Sequence, residues 1–108
     1  MIGYQLSFFT NQDHKHHGKP VSEWLVEEAR KLGISGATLV NATEGFGQHR
    51  RIHSTHFFDL SDQPQEVILA VTAEEADNLF KRINDESIKV FYTKTKIEFG
   101  VLGGSDSE

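Results

Sequence analysis

The chain has 108 residues, no cysteine and a formal net charge of -5, the size of one acidic domain. The absent cysteine excludes structural disulfides and thiolate metal sites, and the acidic balance excludes a general nucleic-acid binder, which needs a broad cationic footprint. No window reaches the roughly 20 apolar residues of a membrane span and no secretory leader pattern opens the chain, so no membrane insertion is expected and the cytoplasm is the default compartment.

Tyr4-Gln5-Leu6-Ser7-Phe8-Phe9 starts with apolar and polar residues alternating at period two and predicts a first strand, with Tyr4, Leu6 and Phe8 on one face. The run from Thr10 to Pro20 has no apolar side chain to bury and reads as a surface loop, with Pro20 placed in the first helical turn. Val21, Trp24, Leu25, Ala29 and Leu32 recur at helical spacing, so an amphipathic helix is expected, ended by Gly33 in a left-handed conformation. Ala37 to Ala42 is short and partly β-branched, as a second strand would be.

From Gly45 to Pro64 the only apolar knot is Phe57-Phe58-Asp59-Leu60, followed by the turn Ser61-Asp62-Gln63-Pro64. A loop of that length in a small domain is usually functional or disordered, and a short strand near His56 to Leu60 is expected to bring it back. Glu66 to Val71 carries apolar residues on both faces, the pattern of a strand covered on two sides. Thr72-Ala73-Glu74-Glu75 is a capping box, opening a helix with Ala76, Leu79, Phe80 and Ile83 in one stripe and Asp77, Lys81 and Arg82 toward solvent. Asn84-Asp85-Glu86-Ser87 ends that helix, and Ile88 to Ile97 gives a last β-rich segment. Residues 1–102 are expected to form the single domain, and 103–108 a disordered C-terminal tail too polar to pack.

Chemistry gathers in the segment Glu44 to His56. Gly45 and Gly47 flank Phe46 and let the backbone approach a partner closely, while Arg50 and Arg51 offer planar donor forks to phosphate or carboxylate. Lys19, from the first loop, completes a candidate anion site. The six histidines fall into two clusters, His14, His16, His17 and His49, His53, His56. If those loops meet across a subunit boundary, the imidazoles could hold zinc, copper or nickel, with Asp13 or Asp59 as a ligand or orienting carboxylate. The plainer alternatives are surface ion pairs for the basic residues and exposed histidines that bind nothing. Glu27 and Glu28 are adjacent on a helix and do not converge, and no nucleophile elbow is present, so no enzyme is expected.

The element order is strand, helix, strand, long loop, strand, helix, strand. This is an α+β, ferredoxin-like (βαββαβ) sandwich, in which right-handed crossovers put two helices on one face of an antiparallel sheet. The strands carry apolar residues on both sides, so the uncovered face calls for partner subunits and a homo-oligomer is expected.

These pieces resemble the PII-like signalling proteins, in particular the uncharacterised bacterial and archaeal group known as domain of unknown function 190. The residues that carry the resemblance are Asp13, His14, His17-Gly18-Lys19-Pro20, Trp24 to Arg30, Leu32-Gly33-Ile34, Gly36-Ala37-Thr38, Gly45-Phe46-Gly47, Ile52-His53-Ser54 and Phe57-Phe58-Asp59-Leu60. The resemblance implies a homotrimer in which the segment from Gly45 to Pro64 occupies the place of the PII T-loop, beside an intersubunit cleft that binds adenine nucleotides in PII proteins. It departs where PII proteins carry a glycine- and basic-rich phosphate-binding turn: here stands Asn84-Asp85-Glu86-Ser87, whose two carboxylates repel a triphosphate. On this reading the chain is a non-enzymatic regulator binding a nucleotide or other phosphate through His17, Lys19, Gly45, Phe46, Gly47, Arg50, Arg51 and His53, and acting on a protein or transporter partner. The rival is a divalent-metal-binding trimer of the CutA type, which shares the fold and would use His14, His16, His17, His49, His53 and His56. A weaker third reading is an enzyme acting on a phosphorylated metabolite.

Overall fold

Strand β1 (Ile2–Asn11) is the axis of the molecule, hydrogen-bonded on one side to β5 (Pro64–Val71) and on the other to β6 (Phe91–Glu98). The structure, a computed structural model, describes residues 1–41 and 64–103. With β4 (Ala37–Asn41) outside β5, the antiparallel sheet runs β4-β5-β1-β6, and helices α1 (Val21–Lys31) and α2 (Ala73–Asp85) pack on one of its faces. This is the expected ferredoxin-like order. A two-stranded ribbon, β2 (Lys15–His16) with β3 (Lys19–Pro20), occupies the stretch that polarity alone assigns to an open loop.

The core follows the two periodicities. Leu6 and Phe8 of β1 and Val67, Leu69 and Val71 of β5 point at the helices, which return Val21, Trp24, Leu25 and Ala29 from α1 and Ala76, Leu79 and Ile83 from α2. Fully burying such a side chain contributes about 1.5–3 kcal/mol. β5 alternates instead of being covered on both sides: Ile68 and Ala70 are only half-buried, because strand side chains alternate and helices cover a single face. The open face carries rows set by the register, Val40, Glu66, Phe9 and Phe91 in one and Thr38, Ile68, Ser7 and Thr93 in the next. It is therefore a mixed surface, apolar at Val40, Ile68, Phe9 and Phe91, rather than a continuous apolar patch.

Both helices stop in the same way. At the end of α1, Gly33 N–H donates to Arg30 O at 3.1 Å and Ile34 N–H to Ala29 O at 3.0 Å, with Gly33 at φ 82°. At the end of α2, Ser87 N–H donates to Asn84 O at 3.0 Å and Ile88 N–H to Ile83 O at 3.2 Å, with Ser87 at φ 58°. Each is a Schellman cap. Pro20 sits one residue before α1, as its N-cap, instead of inside the first turn. The last strand starts at Phe91 because Ile88 is drawn into the core beneath the α2 cap.

The capping box of α2 is present: Glu75 N–H donates to Thr72 Oγ1 at 3.1 Å and Thr72 N–H to Glu75 Oε1 at 2.9 Å. Thr72→Ala is expected to lower stability by about 1 kcal/mol in urea titrations, and Thr72→Ser to restore most of it. A loss below about 0.3 kcal/mol would show the box to be dispensable.

Candidate functional site

One end of the sheet collects the segments of interest. Asn11, the last residue of β1, lies opposite Pro64; Asn41, the last of β4, lies opposite Gln65; and Phe91, the first of β6, lies opposite Phe9. The ribbon that follows β1, both roots of the 42–63 segment and the approach to β6 therefore share that end. Gly45, Phe46, Gly47, His49, Arg50, Arg51, His53 and His56 lie outside the described residues, as does the strand expected near His56 to Leu60. At the roots, Gln65 Nε2 donates to Asn41 Oδ1 at 3.1 Å, and the buried Gln65 Oε1 accepts no hydrogen bond among the described residues.

The ribbon turns at His17 and Gly18, with φ of 53° and 79°. Positive φ at both central residues is the primed hairpin turn that matches strand twist, and histidine is among the few non-glycine residues enriched in that region. Local bonds fix its approach: Asp13 N–H donates to Asn11 Oδ1 at 2.9 Å, His14 N–H to Asn11 O at 3.1 Å and Val21 N–H to His14 O at 2.9 Å. His14 Nδ1 lies 3.1 Å from Thr10 Oγ1, and the side chain is thus engaged within β1's own continuation.

His16 points the other way, toward the end of α2. Its Nε2 lies 3.0 Å from Glu86 Oε1, and its ring stands edge-on to Trp24 at 6.0 Å between centroids. The exposed His17 ring is 4.2 Å from that of His16. Arg82 Nη2 approaches the second oxygen of Glu86 at 3.9 Å. His16, His17 and Glu86 each offer a ligand atom, and these atoms all lie within 4.8 Å of one another. Two of the histidines expected to bind metal are thus brought together, with a carboxylate that sequence reasoning assigned only to repulsion of a phosphate.

Lys19 is not a free cation. Its Nζ donates to Glu27 Oε1 at 2.5 Å, and this hydrogen bond holds the ammonium pKa above its ordinary value. Arg82, expected to face solvent, reaches across to α1: its Nε donates to Glu28 Oε1 at 3.0 Å, while Lys31 Nζ donates to Glu28 Oε2 at 3.1 Å. Glu28 is 3% exposed. Burial pushes its carboxyl pKa up, but the hydrogen bonds from Arg82 and Lys31 outweigh burial and hold it below the usual carboxylate value. Glu28 is a structural tie between the helices, not an acid-base candidate. No helix among the described residues is long and apolar enough to cross a membrane.

A ferredoxin-like sheet with a capped helix pair and these elements at one end is the architecture of PII-like signalling proteins. The PII-like signaling protein TTHA0516 of Thermus thermophilus matches with a TM-score of 0.64 and 19% identity, over 90% of this chain and 88% of that one. CPII of Thiomonas intermedia K12, solved bound to ADP and bicarbonate, matches with a TM-score of 0.66 and 21% identity, over 94% of this chain and 91% of that one. At such identities the likeness is one of fold. The chain belongs to the DUF190 family (Uncharacterized ACR), whose model matches residues 3–98. A relative, the UPF0166 protein of Aquifex aeolicus (strain VF5), is 33% identical over 70 residues, 65% of this chain and 67% of that protein.

Proposed function

We propose that this protein is a homotrimeric, non-enzymatic regulator of the PII-like kind. In this reading it binds a small anionic effector, a nucleotide or another phosphate, at clefts between subunits. The open sheet face, with Val40, Ile68, Phe9 and Phe91, is the surface through which subunits pack. The anion is held by Arg50 and Arg51 of the 42–63 segment with Lys19 and His17 of the ribbon, and Gly45 and Gly47 let backbone N–H groups around Phe46 turn inward beside His53. The observation that carries this reading is the convergence of the ribbon and both roots of the 42–63 segment at one end of the sheet. It is supported by the fold shared with CPII, which has been solved bound to ADP, AMP and bicarbonate.

The mechanism is a population shift. An effector that contacts Arg50 and Arg51 in only one state of the 42–63 segment stabilises that state by its differential affinity and so alters the surface offered to a protein or transporter partner. Because Glu27 already occupies Lys19, an incoming phosphate must compete for that ammonium, which places most of the burden on the two arginines. The α2–β6 turn contributes no phosphate cradle, since Asp85 pairs with Lys81 at 3.0 Å and Glu86 with His16.

The test combines sedimentation with calorimetry of ADP, AMP and ATP. A trimer at micromolar concentration is expected, together with binding of at least one nucleotide that weakens by about tenfold or more in the Arg50→Ala/Arg51→Ala variant. A folded monomer, or nucleotide affinity indifferent to both arginines, would overturn the reading. Turnover of a bound nucleotide would remove its non-enzymatic part.

A further inference from the structure

We propose that His16, His17 and Glu86 form a divalent-metal site that clasps the β2–β3 ribbon to the C-terminal end of α2. This site is independent of the effector reading above and of every residue in 42–63. Its members come from positions 70 residues apart, so no local sequence pattern brings them together.

Three features favour a cation there. The first is the donor set. Two imidazoles and a carboxylate suit zinc, nickel or copper(II), and a three-residue set leaves a coordination position open. The second is preorganisation. Trp24 stands against the His16 ring, the paired positive φ values at His17 and Gly18 fix the turn, and the Schellman cap fixes the backbone that carries Glu86. The third is the field. Glu86 is the C-cap of α2, where the aligned peptide dipoles already leave partial negative charge, and Asp85 adds to it. Carboxylates are disfavoured at that end of a helix unless a cation faces them; here Lys81 pairs with Asp85, and Arg82 Nη2 comes no closer to Glu86 than 3.9 Å.

The fit needs little movement. Two ligands bound at about 2.0–2.1 Å to a common ion lie at most about 4 Å apart. His16 and Glu86 already satisfy that at 3.0 Å, and the full set spreads to 4.8 Å. Rotation of the exposed His17 side chain closes the difference. The ion takes the place of the hydrogen between His16 Nε2 and Glu86 Oε1, and His16 ligates as the neutral Nδ1–H tautomer. His14, grouped with these residues by sequence alone, is engaged with Thr10 and is not part of the set.

The test is calorimetry of zinc and nickel chloride with the full chain. One ion per chain is expected, with a micromolar or lower Kd. His17→Asn keeps a residue that tolerates positive φ, and Glu86→Gln keeps an acceptor for His16, so both variants retain the fold and each is expected to weaken zinc by at least tenfold. His49→Ala/His53→Ala/His56→Ala is expected to leave the affinity within about twofold. The proposal is overturned if neither metal binds, if His17→Asn and Glu86→Gln bind as tightly as the parent, or if the triple variant alone abolishes binding. Nucleotide affinity measured on the same variants separates this site from the arginine site, since only the latter responds to Arg50→Ala/Arg51→Ala.

Discussion

Phe8→Ala is expected to lower stability by about 3–5 kcal/mol in urea denaturation, a large part of what a domain of this size has to lose. Phe8 is fully buried in the axial strand, opposite Val67 on one side and Tyr92 on the other. Its ring also meets Phe80 edge-on at 6.3 Å and Tyr92 at 6.4 Å. Removing it withdraws the ring that joins β5, β6 and α2, and the cavity left cannot collapse without moving a strand held on both edges. Phe8→Leu, which keeps much of the volume, should cost about 1–1.5 kcal/mol. A loss below about 1 kcal/mol for the alanine variant would mean that the core is organised elsewhere.

The second large effect concerns Glu28. Arg82→Ala is expected to cost about 2–3 kcal/mol at neutral pH. Breaking a buried pair strands a charge, and the cost is moderated here because Lys31 remains and Arg82 itself is part-exposed. The pH dependence carries the sharper signature. Because the folded carboxyl titrates below its ordinary value of 4.5, its contribution is complete above that pH and is lost as pH falls toward the lower folded value. Wild-type stability should therefore drop as pH is lowered below about 4.5. Glu28→Gln should remove this part of the acid dependence. Arg82→Ala, leaving burial opposed by Lys31 alone, should raise the carboxyl pKa and make the acid limb shallower. Urea titrations from pH 7 to 3 read both, and an unchanged slope in Glu28→Gln would refute the assignment.

What could be read from the sequence was local. The spacing of Val21, Trp24, Leu25 and Ala29, the Thr72–Glu75 box and the glycine at position 33 each declare a structure within a few residues, and all three were found where expected. The β2–β3 ribbon was not legible because it has no apolar periodicity; its one cue was His17-Gly18, a weaker cousin of the Asn-Gly turn. The Glu28–Arg82 tie and the His16–Glu86 contact are set by how two helices and a ribbon lie on the sheet, which spacing along the chain does not encode. Of the anion-site residues, His17 and Lys19 fall within the described structure, and Lys19 proved to be paired, a neighbour relation of i and i+8 that crosses from ribbon to helix.

The position of β1 in the sheet bears on how the molecule comes into being on the ribosome. Ile2–Asn11 is made early, yet the strand on one of its edges begins at Pro64 and that on the other at Phe91. Throughout most of elongation Leu6 and Phe8 have no hydrogen-bonded neighbour strand to shield them. Assembly is therefore a late event dominated by distant pairings, the regime in which folding is slow and nascent apolar segments depend on chaperones.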